Sequence, residues 1–254
     1  MSVRLEKQDA IAHLLIDRAE KRNAFTQAMW EALPELLADA MADDAIKVVI
    51  LRSAEAGIFC AGADIAEFGA GALDPEWRAQ NQEAIRRAQI ELARADKPVI
   101  AAIDGDCVGG GCGLSIACDL RVASPRARFG ITPAKLGLVY SLHDTKLLVD
   151  LVGPAQAKRI LFTAELLPAG EAQRIGLIEI LDEDPVAAAE ALAGTIATAS
   201  SHSVRNTKKI VRRILDGQAD DDAETHALFG SAFLGDDFRE GVSAFLEKRK
   251  AVFE

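Results

Sequence analysis

The pattern of apolar and polar positions divides the chain into two unlike parts. Residues 3–6 and 11–16 read as strands joined by a turn at 7–10. Residues 26–41 read as an amphipathic helix with Met29, Leu33, Leu36, Leu37, Ala40 and Met41 on one face. Thr26 is placed to cap that helix, and Pro34 predicts a local distortion. The apolar runs 48–51 and 99–103 suit buried strands. Asp74-Pro75 opens a helix that extends to Ala95 through Ile85, Ala88 and Leu92. Short strands are expected at 120–123 and 128–129. Beyond Gly153-Pro154 the period turns helical, over 155–163, 169–175, 186–199, 204–215, 222–233 and 238–251, with one strand at 177–181. Alternating strands and helices followed by helices alone predict an α/β fold with a C-terminal all-α region.

One stretch concentrates candidate chemistry. Residues 99–122, VIAAIDGDCVGGGCGLSIACDLRV, read as a buried strand, a turn ending in Gly109, Gly110 and Gly111, and a helix expected to end at Asp119. Glycine lets the backbone approach a ligand closely, and a helix N-terminus carries unpaired N–H groups with partial positive charge. Such N–H groups bind an anion, or an oxygen that becomes anionic during a reaction. No lysine followed by serine or threonine succeeds the glycines, and the spacing is not G-x-G-x-x-G, so neither phosphate motif is present.

Composition narrows the classes. The 254 residues suit one large domain or a domain with an appendage. The net charge of −10 argues against nonspecific nucleic-acid binding. No apolar run is long enough for a membrane span, and MSVRLEKQDA lacks an apolar signal region. Cys60, Cys107, Cys112 and Cys118 form no C-x-x-C and have small apolar neighbours. They read as buried thiols of a cytoplasmic protein rather than as zinc ligands, and no metal site is expected.

A second glycine motif, IFCAGADI at 58–65, pairs with DGDCVGGGCGLSIACDL. Together they resemble the enoyl-CoA hydratase/isomerase, or crotonase, family, and the resemblance runs from about Arg18 to FLEKRKAVF at the C-terminus. It implies a spiral of β-β-α units over 1–190 and a helical trimerisation region over 191–254. It also implies an acyl-CoA substrate, a homotrimer or dimer of trimers, and no cofactor apart from the coenzyme A of the substrate. In the family, two backbone N–H groups hold a thioester oxygen as it becomes an enolate; the matching positions are Ala63 and Gly110. The resemblance places Arg22 and Ala24 in the loop that approaches the CoA nucleotide, Asp64 and Ile65 beside the first oxyanion donor, and Thr132 beside the acyl pocket. It places Lys248 in a tail that approaches CoA phosphate, often across a subunit contact.

Two departures qualify the expected reaction. Family hydratases carry a glutamate three residues after the second oxyanion glycine, where this chain has Gly113. They carry another where this chain has Pro133. Without those carboxylates, ordinary two-glutamate hydration is not expected. The segment TPAKLGLVY, with Tyr140, and the ending FREGVSAFLEKRK resemble the methylmalonyl-CoA decarboxylase branch. That branch has histidine at the position of Ala63 and glutamate at that of Gly113. Tyr140 is therefore a candidate catalytic group, with capping of an apolar cluster as its alternative. Glu67 is a candidate relocated acid, His143 and Asp144 are read as the start of a helix, and a binding protein without turnover is the competing function.

Overall fold

The computed structural model describes residues 2–253. Strands β1 (Val3–Gln8) and β2 (Ile11–Ile16) form an antiparallel hairpin whose two-residue turn includes Asp9 at φ 50°. Helix α1 (Gln27–Ala42) follows, capped by the Thr26 hydroxyl, which accepts from Met29 N at 3.4 Å; Pro34 is buried inside it. From there the chain alternates between two sheets. Strands β3 (Val48–Ser53), β5 (Val99–Ile103) and β7 (Leu120–Ala123) add in parallel to the large sheet. Strands β4 (Ile58–Cys60), β6 (Asp106–Val108) and β8 (Arg128–Gly130) build a small sheet beside it.

Each turn of the chain thus gives one strand to each sheet and then a helix. Helices α2 (Ile65–Gly71) and α3 (Pro75–Ala93) follow β4, α4 (Gly110–Ala117) follows β6, and α5 (Leu142–Thr163) follows β8. Strand β9 (Leu167–Pro168), helix α6 (Ala169–Arg174) and strand β10 (Ile180–Leu181) complete the sheets. The six-stranded order is β1-β2-β3-β5-β7-β10 and the four-stranded order is β4-β6-β8-β9. This is the β-β-α spiral expected from the motifs.

The central strand β5 is buried along its whole length, as its continuous Val-Ile-Ala-Ala-Ile run requires when both faces of a parallel sheet are covered. One face carries the main core, including Trp30, Leu33, Phe59 and Leu114. The other face is covered by α7 (Pro185–Ala197), whose Ala189 and Ala193 pack on Val48, Ile50, Ile100, Ala102 and Val122. The expected division at residue 190 falls inside this helix. Helices α8 (Ser201–Leu215), α9 (Ala223–Ala232) and α10 (Asp236–Glu247) finish the chain. No described helix is long and apolar enough to cross a membrane.

Several local expectations are corrected. Strand β6 lies within the segment read as a turn between β5 and the glycines, because its backbone pairs with β4 and β8, far off in sequence. Gly153, at φ 74° and ψ 165°, separates two helical segments within α5, so Gly153-Pro154 does punctuate the chain as the sequence suggests. Asp119 does not end α4: Cys118 is the cap residue, and the Asp119 carboxylate accepts from Val99 N at 2.7 Å and from Lys208 Nζ at 2.7 Å.

Candidate active site

Two glycine-rich loops meet at the start of α4. Gly109 precedes the helix at φ 54°, ψ −121°, a conformation that only glycine adopts readily, and offers no side-chain cap. Gly62 lies at φ 100°, and a Cβ there would stand 2.9 Å from Val108 O and 3.2 Å from Gly110 N. The absence of a side chain at Gly62 is therefore what lets the loops close on each other. A Cβ on Gly110 would lie 3.7 Å from Ala63 N and 2.9 Å from Trp30 Cζ2, so Ala63, Gly110 and the Trp30 ring share one small space.

The Phe25 strand segment fixes the first loop. Phe25 N donates to Gly62 O at 2.8 Å, and Phe25 O accepts from Asp64 N at 2.8 Å. These bonds pass on either side of Ala63. Among the described residues, neither Ala63 N nor Gly110 N donates to a backbone carbonyl. Both residues are partly exposed, and their two adjacent N–H groups have no backbone acceptor.

The surrounding charges serve the loops. Asp64 caps α2 by accepting from Ala66 N at 3.0 Å and Glu67 N at 3.3 Å, and it pairs with Arg18 Nη1 at 2.8 Å. Arg18 chiefly, and then the Glu67 N–H, holds the Asp64 carboxyl below its ordinary range. Arg18 also donates to Ala24 O at 2.7 Å, joining the 18–24 loop to the first glycine motif. Arg22 is exposed at φ 54° and pairs with Asp106 at 2.6 Å. Ile65 is 58% exposed at the start of α2, and Thr132 is half-buried before a short 3-10 turn. Lys248 ends α10, exposed at φ 56°; no described hydrogen bond or ion pair joins it to the Arg22 loop.

The acid candidates separate clearly. Glu67 Oε2 accepts from Gln27 N at 2.8 Å, so it caps α1. Position 113 is occupied from outside: a Cβ on Gly113 would overlap the Gln89 amide and stand 3.1 Å from the Tyr140 hydroxyl. The Tyr140 hydroxyl is buried without a partner, and burial, then the charge of Asp144, holds its pKa well above the ordinary value. Ser141 caps α5 by accepting from Asp144 N at 3.1 Å. The Asp144 carboxyl is buried beside the Gln89 amide, whose nitrogen donates to it when that end of the amide faces the carboxyl. Burial pushes its pKa up to about 6.

Gln89 and Trp30 carry no site signal in the sequence, and Asp144 reads there as the start of a helix. Trp30 adjoins Met29 in the apolar stripe of α1, which was its one available signal. His13 accepts from Arg52 Nε at 3.1 Å, and His202 pairs with Asn206, both away from the glycine loops. The four cysteines are buried and free; desolvation pushes Cys60 and Cys118 up to about 12, which leaves them poor nucleophiles. No cluster of metal-ligating side chains occurs among the described residues.

Comparison with known proteins follows the same outline. The family model described as enoyl-CoA hydratase/isomerase matches residues 6–254. The chain belongs to this family. It is 34% identical over 254 residues to the crotonyl-CoA hydratase of Syntrophomonas wolfei, covering 98% of this chain and 96% of that protein. It is 33% identical over 258 residues to the (E)-benzylidenesuccinyl-CoA hydratase of Thauera aromatica, covering 100% and 99%. A solved structure from Hyphomonas neptunium, described under the enoyl-CoA hydratase/isomerase family, superposes with a TM-score of 0.97 at 42% identity, covering 100% of this chain and 98% of that one. The crotonase spiral and the enzyme family are thereby established, while these relatives do not single out the decarboxylase branch.

Proposed function

We propose that this crotonase-family enzyme binds an acyl-CoA thioester with its carbonyl oxygen between Ala63 N and Gly110 N and stabilises the enolate formed from it. The observation that carries this reading is the pair of unpartnered N–H groups in glycine loops held together by Gly62. Losing one good oxyanion donor costs roughly 2.7–4 kcal/mol of transition-state stabilisation. The relatives named as CoA-thioester hydratases support the substrate class. Arg22, Ala24, Asp64 and Ile65 then border the CoA chain and Thr132 the acyl end. Lys248 meets CoA phosphate from a neighbouring copy of a homotrimer or dimer of trimers built on α8 to α10. Coenzyme A enters as part of the substrate.

Gly113 and Pro133 do not supply the acid pair of ordinary hydration, and Glu67 is committed to α1. Tyr140, whose hydroxyl stands at position 113, is the proton-handling group of this reading. A second reaction is favoured by the same hydroxyl. Decarboxylation of an alkylmalonyl-CoA breaks the C–C bond to carbon dioxide and sends its electron pair to the thioester oxygen. The enolate then needs only a proton donor, which a phenol held protonated provides.

The test uses butyryl-CoA carrying 13C at the thioester carbonyl. Bound to the purified protein, its carbonyl stretch is expected to fall to lower frequency through two hydrogen bonds. A bound thioester with an unshifted stretch sinks the oxyanion reading. Turnover assays then divide the reactions: crotonyl-CoA hydration is expected to be slow, because general acid–base catalysis worth roughly 10²–10⁴-fold lacks its usual carboxylates. Fast hydration that survives Tyr140→Phe overturns the assignment of Tyr140. Carbon dioxide release from alkylmalonyl-CoA that vanishes in that variant selects decarboxylation.

A further inference from the structure

We propose that the packed rings of Phe25 and Trp30 form a spacer between the two oxyanion donors, with Trp30 a positioning residue that acts through Gly110. This rests on the thioester reading above and goes beyond it by naming what sets the separation of the two N–H groups.

Two hydrogen bonds to one oxygen require both donors within about 3 Å of it, so the distance between the donors has to be fixed before substrate arrives. The donors lie on different turns of the chain, and the start of α1 reaches both. Phe25 stands just before the cap residue Thr26, and Trp30 is the fourth residue of the helix. Apolar side chains at these two positions pack across a helix start and fix the angle at which the chain enters it. Here the ring centroids lie 4.5 Å apart, with the planes tilted by 43°. Both residues are buried, so the pair acts as a rigid part of the core and not as a substrate contact.

The two ends of this pair lead to the two donors. Phe25 is bridged to Ala63, and its N–H and carbonyl hold Gly62 and Asp64 on either side. Trp30 presents Cζ2 at 2.9 Å and Cη2 at 3.2 Å from where a Cβ of Gly110 would stand, and the same Cβ would lie 3.7 Å from Ala63 N. Gly62 and Gly109 have positive φ, whereas Gly110 opens α4 without one. The backbone therefore does not demand glycine at 110; the edge of the Trp30 ring does. At the next position the helix start rests on β4, because Cys60 Cβ lies 2.6 Å from where a Cβ of Gly111 would be. The start of α4 is thus held by β4 at Gly111 and by the indole edge at Gly110.

The indole brings a penalty that phenylalanine would avoid. Its Nε1 is buried without a partner, and a buried donor left unpaired is destabilising. A phenyl ring would still pack on Phe25. What tryptophan adds is the outer edge of the ring, which is the part that meets Gly110.

Butyryl-CoA carrying 13C at the thioester carbonyl tests this, with the carbonyl stretch of the bound molecule read by infrared spectroscopy, affinity by calorimetry and folding by urea unfolding. Trp30→Phe keeps a ring against Phe25 and withdraws the edge at Gly110. It is expected to fold and to bind butyryl-CoA nearly as well as wild type, while the carbonyl band moves back toward the frequency of free thioester. Gly110→Ala is expected to lose the downward shift as well, because its Cβ meets the indole. Combining the two is expected to bring the band nearer to wild type than Gly110→Ala alone, since the shorter ring vacates the place of the new Cβ. A merely structural role for Trp30 gives losses that add instead. A wild-type band in Trp30→Phe overturns the spacer, as does a double variant whose band lies no nearer to wild type than that of Gly110→Ala. If Gly110→Ala does not fold, the band of Trp30→Phe decides alone. A bound thioester whose stretch is unshifted in the wild type removes the oxyanion reading and the spacer together, whereas a shifted band that Trp30→Phe leaves in place removes the spacer only.

Discussion

At the scale of single residues, the buried Asp144 carboxyl makes stability depend on pH. Its carboxyl titrates at about 6 in the fold, above the ordinary 3.8, because burial penalises the charged form. The folded state therefore binds more protons than the unfolded state between those values, and this group's contribution to stability falls as pH rises through that window. Asp144→Asn removes the penalty. It is expected to be more stable than wild type at pH 8, by on the order of 1–3 kcal/mol, with the difference vanishing below about pH 4. Denaturant midpoints of the two proteins across pH measure it, and a variant less stable at pH 8 would mean that the carboxylate is stabilised by partners. Gly113→Glu is expected not to restore hydration and to destabilise the fold by about 1–3 kcal/mol, because the Gln89 amide fills the place of its Cβ. Urea unfolding together with crotonyl-CoA turnover checks both effects. The two loops that carry Ala63 and Gly110 were legible through their glycines, and the two donor positions only through the family resemblance. Gln89 and Asp144 were not, because their meeting depends on how α3, α4 and α5 pack and on no local pattern.

At the scale of elements, the site depends on two loops from different sheet strands being brought to the same place. Apolar periodicity marked the long strands and most helices, but β4 and β6 span three residues each and are defined by pairing with one another and with β8. Their existence is a long-range fact, which is why β4 and β6 stayed hidden while β8 and the glycine loops did not. The same geometry makes Gly62 the sensitive position. Gly62→Ala combines φ 100° with a Cβ 2.9 Å from Val108 O, so the loops must separate. The expected result is loss of the thioester carbonyl shift in bound butyryl-CoA, with the nucleotide end still binding. An unchanged carbonyl frequency in this variant would show that the two donors do not need their close packing. Arg22→Ala acts on the other end of the substrate, and its loss of affinity is expected to be largest at low salt, since exposed ion contacts are screened.

At the scale of the whole molecule, the C-terminal helices leave an apolar surface that one copy does not cover. Phe229 is 70% exposed, Leu234 76%, Phe245 82% and Leu246 74%. Large side chains grouped this way mark an interface more often than free surface, and they match the helical assembly region expected from the resemblance. Lys248 ends the same helix as Phe245, so the assembly and its proposed phosphate contact can be tested together. Phe245→Glu places a charge in the surface and is expected to shift the protein toward monomer by light scattering. If Lys248 meets CoA across that contact, Phe245→Glu and Lys248→Ala each weaken CoA binding, and the second change adds little in the background of the first. Such non-additivity is the signature of two residues acting in one interaction. Additive losses would place Lys248 on its own subunit's CoA, and unaltered affinity in Lys248→Ala across a salt series would return it to the solvated surface.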